Sequence, residues 1–406
     1  TTNYARLLVD NIDKTFLDYF LQSGATNTHE NFERLNFEFV PASYADGYIT
    51  FANDTNDSIL KKIQAVPHIN LTDKEIAQGI VPNPDVVNTR NIKRFSEREI
   101  SENKIKPGEG VFVVKKGKFD NLADVEKKYI KPIFEPNEVH RYKFVDEYES
   151  EIIYITKANY KNDAPNLLKH LSTYRKIMEE RRENQNGRLD YFHLHWPRDE
   201  YYFEEGEKIL SVRKCDRPTF IYTKKHAYVM MAFNIIRTER ANLKYLTALL
   251  NSKLVAFWLR SKGKMQGNNY QIDKEPLLEI PIALLSDKQH IIATLVDYIL
   301  LVHQPRKEQL IKYIGDDLII HSFDEVIDQA FYEIYFGAEP EMAELQVLKY
   351  LENIKPISED YTDTDIETVV KFYHWLHEQT NPVRTAILKA NIVSKDIIGV
   401  INSTIS

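Results

Sequence analysis

The stretch KGKMQGNNYQ, residues 262–271, sets Lys262, Lys264, Gln266, Asn268, Asn269 and Tyr270 around two glycines. Ammonium groups that pair with phosphates and amides that pair with base edges are the chemistry this set offers. Two more stretches repeat the composition. NTRNIKR holds Asn88, Arg90, Asn91, Lys93 and Arg94, and RKCDR holds Arg213, Lys214 and Arg217. Arg141 and Lys143 in HRYKF, Lys157 and Tyr160 after the apolar run IIYIT, and Arg188, Trp196 and Arg198 complete the candidates. Any one of them taken singly has a plainer explanation as a solvated surface charge. Clustered in loops between patterned segments, they point to a polyanion.

Catalytic constellations fit less well. Pro84-Asp85 with Glu126-Lys127-Lys128 approximates a nuclease triad, but the separation is loose and such triplets are common in a chain rich in lysine and glutamate. His193 and His195 put two imidazoles on one face of a strand, and Cys215 would make a third zinc ligand without an evident fourth. Arg213 and Lys214 beside Cys215 could lower its pKa, yet no base or orienting carboxylate accompanies it, so a buried thiol is the expectation. Gly108-Glu109-Gly110 lacks the Lys-Ser/Thr of a phosphate-binding loop. No catalytic residue and no metal ligand is assigned; binding is the expected role.

The elements that must position these groups follow from periodicity. Over residues 243–258 the spacing of Leu243, Leu246, Leu249, Leu250, Leu254, Phe257 and Trp258 predicts one amphipathic helix, with Asn242 as its cap and Gly263 at its end. LLEIPI, residues 277–282, predicts a return strand with Pro281 at its edge. Residues 1–22 read as helix, 33–52 as short strands, and 54–66 as a helix with Asp57 in the capping position. Gly79 is expected to relax the backbone of a turn-rich segment. GVFVVKKGKF and EIIYITKANY read as strands, RPTFIYTKKHAYVMMAFNIIRT as a hairpin and its continuation, and residues 167–184 as a single helix. KQHIIATLVDYILLVHQ, FDEVIDQAFYEIYF, EMAELQVLKYLENI and the last fifty residues all read as helix.

With 406 residues, 43% of them hydrophobic and 28% charged, the chain can bury a real core. A single cysteine excludes an internal disulfide and fits a reducing cytoplasm. No run of about 18 apolar residues and no signal peptide is present, so no membrane partner is expected. Counting Lys and Arg against Asp and Glu, residues 1–75 carry −5, 76–285 carry +8 and 286–406 carry −10. The basic centre suits a polyanion. The acidic tail supports an alternative, a helical interaction scaffold without DNA specificity. Since the chain opens at Thr1 within helix-patterned residues, it is expected to be a piece of a longer polypeptide.

Several segments, in order, carry a resemblance. They are SILKKIQAVPHINLTDKEIAQGIVPNPDVVN, GEGVFVVKK, IKPIFEPNEVHRYKF, IIYITK, APNLLKHLSTYRKIMEER, GRLDYFHLHWPR, EKILSVRKCDRPTFIYT, and YLTALLNSKLVAFWLR followed by LEIPI. Residues 33–285 thus resemble the TaqI-like C-terminal specificity domain of adenine-N6 DNA methyltransferases and type IIG restriction–modification enzymes. The resemblance implies an α+β target-recognition domain of antiparallel strands with inserted helices over residues 33–285. A helical segment, 1–32, would continue from an upstream catalytic region, and a mainly helical C-terminal domain would span 286–406. It also implies double-stranded DNA as partner, together with the upstream methyltransferase domain of the same polypeptide. The Phe-x-Gly-x-Gly loop and the Asn/Asp-Pro-Pro-Tyr/Phe loop of the family's catalytic half are both missing, and the chain has no adjacent prolines. S-adenosylmethionine is therefore expected for the parent enzyme and no cofactor for this part, which would not methylate alone.

Overall fold

The apolar runs at residues 208–212, 220–223 and 233–236 become strands covered on both faces, which is why they read as continuous rather than alternating. In the computed structural model, which describes residues 2–7, 32–37, 54–144, 147–284 and 288–405, the chain divides into two units, Thr1–Ile63 and Gln64–Ser406. In the first unit Thr2–Leu7 pairs antiparallel with Phe32–Phe37, and a helix starts at Asp54. The helix expected over residues 1–22 is thus corrected at its start to a strand, because cross-strand pairing overrides the local period; residues 8–22 lie outside the described residues. So do residues 38–52 of the expected short strands.

Two four-stranded sheets build the second unit. One runs Phe220–Thr223, Lys208–Val212, Phe233–Ile236, Ile76–Gln78, antiparallel throughout. The other runs Tyr228–Val229, Ile130–Phe134, Ser150–Ile153, Val113–Lys115, with its first pair parallel. The expected hairpin over residues 217–238 does not form. Lys208–Val212 sits between its two outer strands, and Tyr228–Val229 crosses to the other sheet. One core joins both sheets: Phe112, Ile133, Ile152, Leu210, Ile221 and Phe233 pack with Leu167 and Leu171 of the helix Pro165–Ser172. The architecture is α+β.

Several helices are shorter than their patterns suggest. Residues 167–184 break into Pro165–Ser172, Arg175–Glu179 and Arg182–Gln185. The break at Arg181 turns its buried guanidinium inward, where it donates to the carbonyls of Met178, His193 and Tyr191 at 2.9, 2.9 and 2.7 Å. The amphipathic run 243–262 is two helices, Leu243–Asn251 and Lys253–Lys262. Ser252 ends the first and caps the second, its Oγ accepting from the Val255 amide at 3.3 Å. Asn251 is buried and pairs by its side chain like a strand residue: Oδ1 accepts from the Phe220 amide at 3.0 Å and Nδ2 donates to the Phe220 carbonyl at 2.8 Å.

The helices Gln289–Val302, Asp316–Phe336, Asp363–Leu376 and Pro382–Val393 follow, the first packed on Leu243–Asn251. EMAELQVLKYLENI is not a helix; it folds as two 3-10 turns, Pro340–Glu344 and Leu348–Tyr350. Arg141 donates to the buried Asp324 carboxylate and to the Asn251 carbonyl, so an ion pair at 13% and 6% side-chain exposure ties the sheet region to the helices.

Gly79 is required for a reason other than turn flexibility. A Cβ there would lie 2.0 Å from the Met230 carbonyl oxygen, a backbone atom that cannot step aside. Gly79→Ala is expected to cost about 3 kcal/mol or more, read as a lowered urea midpoint. Acid should act through two half-buried histidines. Burial pulls His170 and His303 from 6.5 down to about 4, helped by Lys118 and Lys143 respectively. The unfolded chain therefore takes up protons first, so stability present at pH 7 should fall as pH drops from about 6.5 towards 4 in denaturation series.

Candidate nucleic-acid interface

The helix Lys253–Lys262 stops at Gly263, where a Cβ would lie 2.5 Å from the Leu259 carbonyl oxygen. The stretch 262–271 then forms a hairpin, Lys264–Gln266 against Asn269–Gln271, turning at Gly267 with φ +61°. Residues alternate across a strand, so Tyr270 turns inward at 3% exposure while Gln266 and Asn268 face solvent. Tyr270, expected as a contact, is instead the hairpin's apolar anchor. The third strand of this sheet is Lys214–Cys215, with Tyr270 opposite Cys215 and Gln271 opposite Lys214. Two stretches some fifty residues apart, RKCDR and KGKMQGNNYQ, thus share one antiparallel sheet.

Asp273 locks that sheet. Its carboxylate accepts from Arg213 at 2.6 Å and Lys264 at 3.2 Å. Burial alone would raise its pKa, but these two donors more than offset it and hold it below the usual carboxylate range. Arg213 also donates to the Met231 carbonyl at 2.9 Å. It is a brace, and its guanidinium is not available as the expected phosphate contact.

NTRNIKR borders a cleft of about 470 Å³ lined by Val81, Asn83, Arg90, Arg94, Glu180 and Met231 among others. Here the two asparagines, which also line the cleft, hold the loop through their carboxamide oxygens. Asn88 Oδ1 accepts from the amides of Arg90 and Asn91, and Asn91 Oδ1 accepts from the amide of Asn88 at 2.7 Å. The cations are left at the surface: Arg90 and Lys93 are exposed without an ion-pair partner among the described residues, and Arg94 lies 3.2 Å from Glu180. Because Met231 lines this cleft and its carbonyl is held by Arg213, cleft and hairpin sheet are joined. Trp196 flanks it too. It is 48% exposed, stacked on His195 at 4.7 Å, and bonded through its backbone to Val81.

The other candidates fall outside this assembly. Arg141 is consumed by Asp324 and Asn251, and Arg217 reaches the same Asp324 at 3.8 Å from a half-exposed position. Lys143 lines a separate cavity with His140, His303 and Asp317. Lys157 and Arg188 are exposed but do not line the cleft, and Lys262 is half-buried at the helix end. Arg198 donates to the Gly79 carbonyl at 3.2 Å. Met231 was not legible in the sequence, since VMMAF reads as strand core.

The alternative chemistries have structural employments. Glu126 is buried and accepts from the amides of Asn166 and Leu167 at 3.0 and 3.1 Å, capping the helix Pro165–Ser172. Lys128 pairs with Asp163. His195 turns to Glu183 at 2.6 Å, and His193 Nδ1 accepts from the Asp190 amide at 3.1 Å. Burial pushes the Cys215 thiol up to about 12. In folded protein at pH 8, Cys215 is therefore expected to react with an aromatic disulfide reagent at least about 100-fold slower than in urea.

Parts of the chain are similar to known proteins. Residues 131–282 match the family model of the TaqI-like C-terminal specificity domain. The Type II methyltransferase M.HincII of Haemophilus influenzae is 25% identical over 126 residues, which cover 29% of this chain and 25% of that protein. Among solved structures, the Type IIL restriction–modification enzyme MmeI in complex with DNA aligns with TM-score 0.45 and 12% identity, covering 75% of this chain and 38% of that one. The type IIG restriction endonuclease BpuSI aligns with TM-score 0.35 and 13% identity, covering 80% and 38%. The chain spans about a quarter to two fifths of the length of these proteins.

Proposed function

We propose that this chain, whose residues 131–282 match the family model of the TaqI-like C-terminal specificity domain, is the target-recognition part of a restriction–modification adenine-N6 DNA methyltransferase. A base can be methylated at N6 only after it leaves the helix, and the duplex must be gripped while that happens. Lys93 and Lys214 suit phosphate contacts, which fix register. Arg90 suits a phosphate contact as well, while Arg94, Gln266, Asn268 and Asn269 suit base edges, which carry the sequence information.

The observation that supports this reading most is the three-stranded sheet Lys264–Gln266, Asn269–Gln271, Lys214–Cys215, joined through Arg213 and Met231 to the Arg90–Arg94 cleft. It gathers donors from three distant stretches onto braced backbone, as a reading surface requires. Methyl transfer belongs, in this reading, to a methyltransferase domain of the same polypeptide that binds S-adenosylmethionine. These 406 residues hold neither a Phe-x-Gly-x-Gly loop nor adjacent prolines, so no step of that reaction is assigned to them. A cytoplasmic site of action is part of the same reading; no helix of the described residues is long and apolar enough to cross a membrane.

Selection from a random duplex library tests the proposal. The chain is expected to enrich one short sequence over its scrambled form. Equal retention of all duplexes, or retention of none at low salt, would contradict it.

A further inference from the structure

Met231 is 49% exposed beside a cleft whose other walls carry Arg90, Arg94 and Glu180. Its backbone, by contrast, is fixed from several sides. The Met231 amide donates to the Ile80 carbonyl at 3.0 Å, and its carbonyl accepts from Arg213 at 2.9 Å. The neighbouring Ala232 carbonyl accepts from the Arg213 amide at 2.8 Å, and the Met230 carbonyl from the Phe233 amide at 3.0 Å. Gly79 presses against Met230 so closely that no side chain fits between them. A rigid peptide thus presents a flexible, polarizable thioether at the edge of the arginine-bearing cleft.

The rim of the cleft supplies donors suited to the acceptors of the major groove. The apolar group on that same edge of the duplex is the C5-methyl of thymine. We propose that Met231 contacts a thymine methyl in the target sequence and thereby helps to set specificity. This rests on the reading of the surface as a DNA interface.

Burying one methyl group is worth about fourfold in a binding constant. After a preferred duplex is selected with the wild-type chain, each of its thymines is replaced in turn by deoxyuridine, which lacks only that methyl. One replacement is expected to weaken wild-type binding about fourfold. In Met231→Ala the same replacement should have no effect, because the variant already binds the thymine duplex as weakly as the wild type binds the uracil one. Met231→Leu should keep the discrimination. The bond from Arg213 goes to the Met231 backbone, so both variants retain it. Discrimination that is the same in wild type and Met231→Ala, or a Met231→Ala loss equal on thymine and uracil duplexes, overturns the methyl contact alone. Failure to select any sequence overturns the DNA-recognition reading and this inference with it.

Discussion

Asp324→Ala is expected to remove about 3–5 kcal/mol of stability, measured by urea denaturation. Asp324 is 5% exposed and accepts from Arg141, whose guanidinium is itself largely buried and whose other partner is the Asn251 carbonyl. Without the carboxylate a cation stays in the interior with only the Asn251 carbonyl and the charge of Asp328 against its desolvation. The effect should spread, because Asn251 holds Phe220 at the edge of the first sheet and Ser252 begins the helix that leads to the hairpin. Replacing both Arg141 and Asp324 with leucine should recover part of the loss, since the buried cation is then removed with its carboxylate, although the Asn251 carbonyl and Arg217 lose a partner each. An unchanged midpoint in Asp324→Ala would mean that this pair does not hold the two regions together.

The second large effect concerns binding. Changing Arg90, Lys93 and Lys214 together to glutamate is expected to weaken duplex binding at least about 100-fold at moderate salt, for cognate and scrambled sequences alike. All three side chains are exposed and make no ion pair among the described residues, so stability should move by no more than about 0.5 kcal/mol. Gln266→Ala and Asn268→Ala should behave differently, relaxing sequence preference while leaving the affinity for scrambled duplex nearly as it was.

Much of the fold was legible because it rests on local signals. Asn242 caps its helix through the Tyr245 amide at 3.0 Å, Gly263 ends the run, and the apolar stretches around residues 113 and 152 are strands. Non-local pairing was hidden. The apparent hairpin over 217–238 is separated by Lys208–Val212, and residues 2–7 find a strand partner at 32–37. The three basic stretches were identifiable by composition, but which of their side chains face outward was not. Asn88, Asn91, Arg213 and Tyr270 have the right chemistry for DNA and are committed to turns, a carboxylate or the core. Composition cannot separate a donor that reads a base from one that braces the loop beside it. Met231 shows the converse, an apolar residue brought to the surface by contacts from Ile80 and Arg213 that no period reveals.

The salt dependence of duplex binding tests the account most directly. Each phosphate neutralised by Lys or Arg contributes about −0.9 to the slope of log K against log salt. The wild-type chain is expected to show a steep negative slope, and the alanine variant of Arg90, Lys93 and Lys214 one shallower by about 2 to 3. A flat wild-type slope, or the same slope in both proteins, would contradict a surface built to hold the double helix.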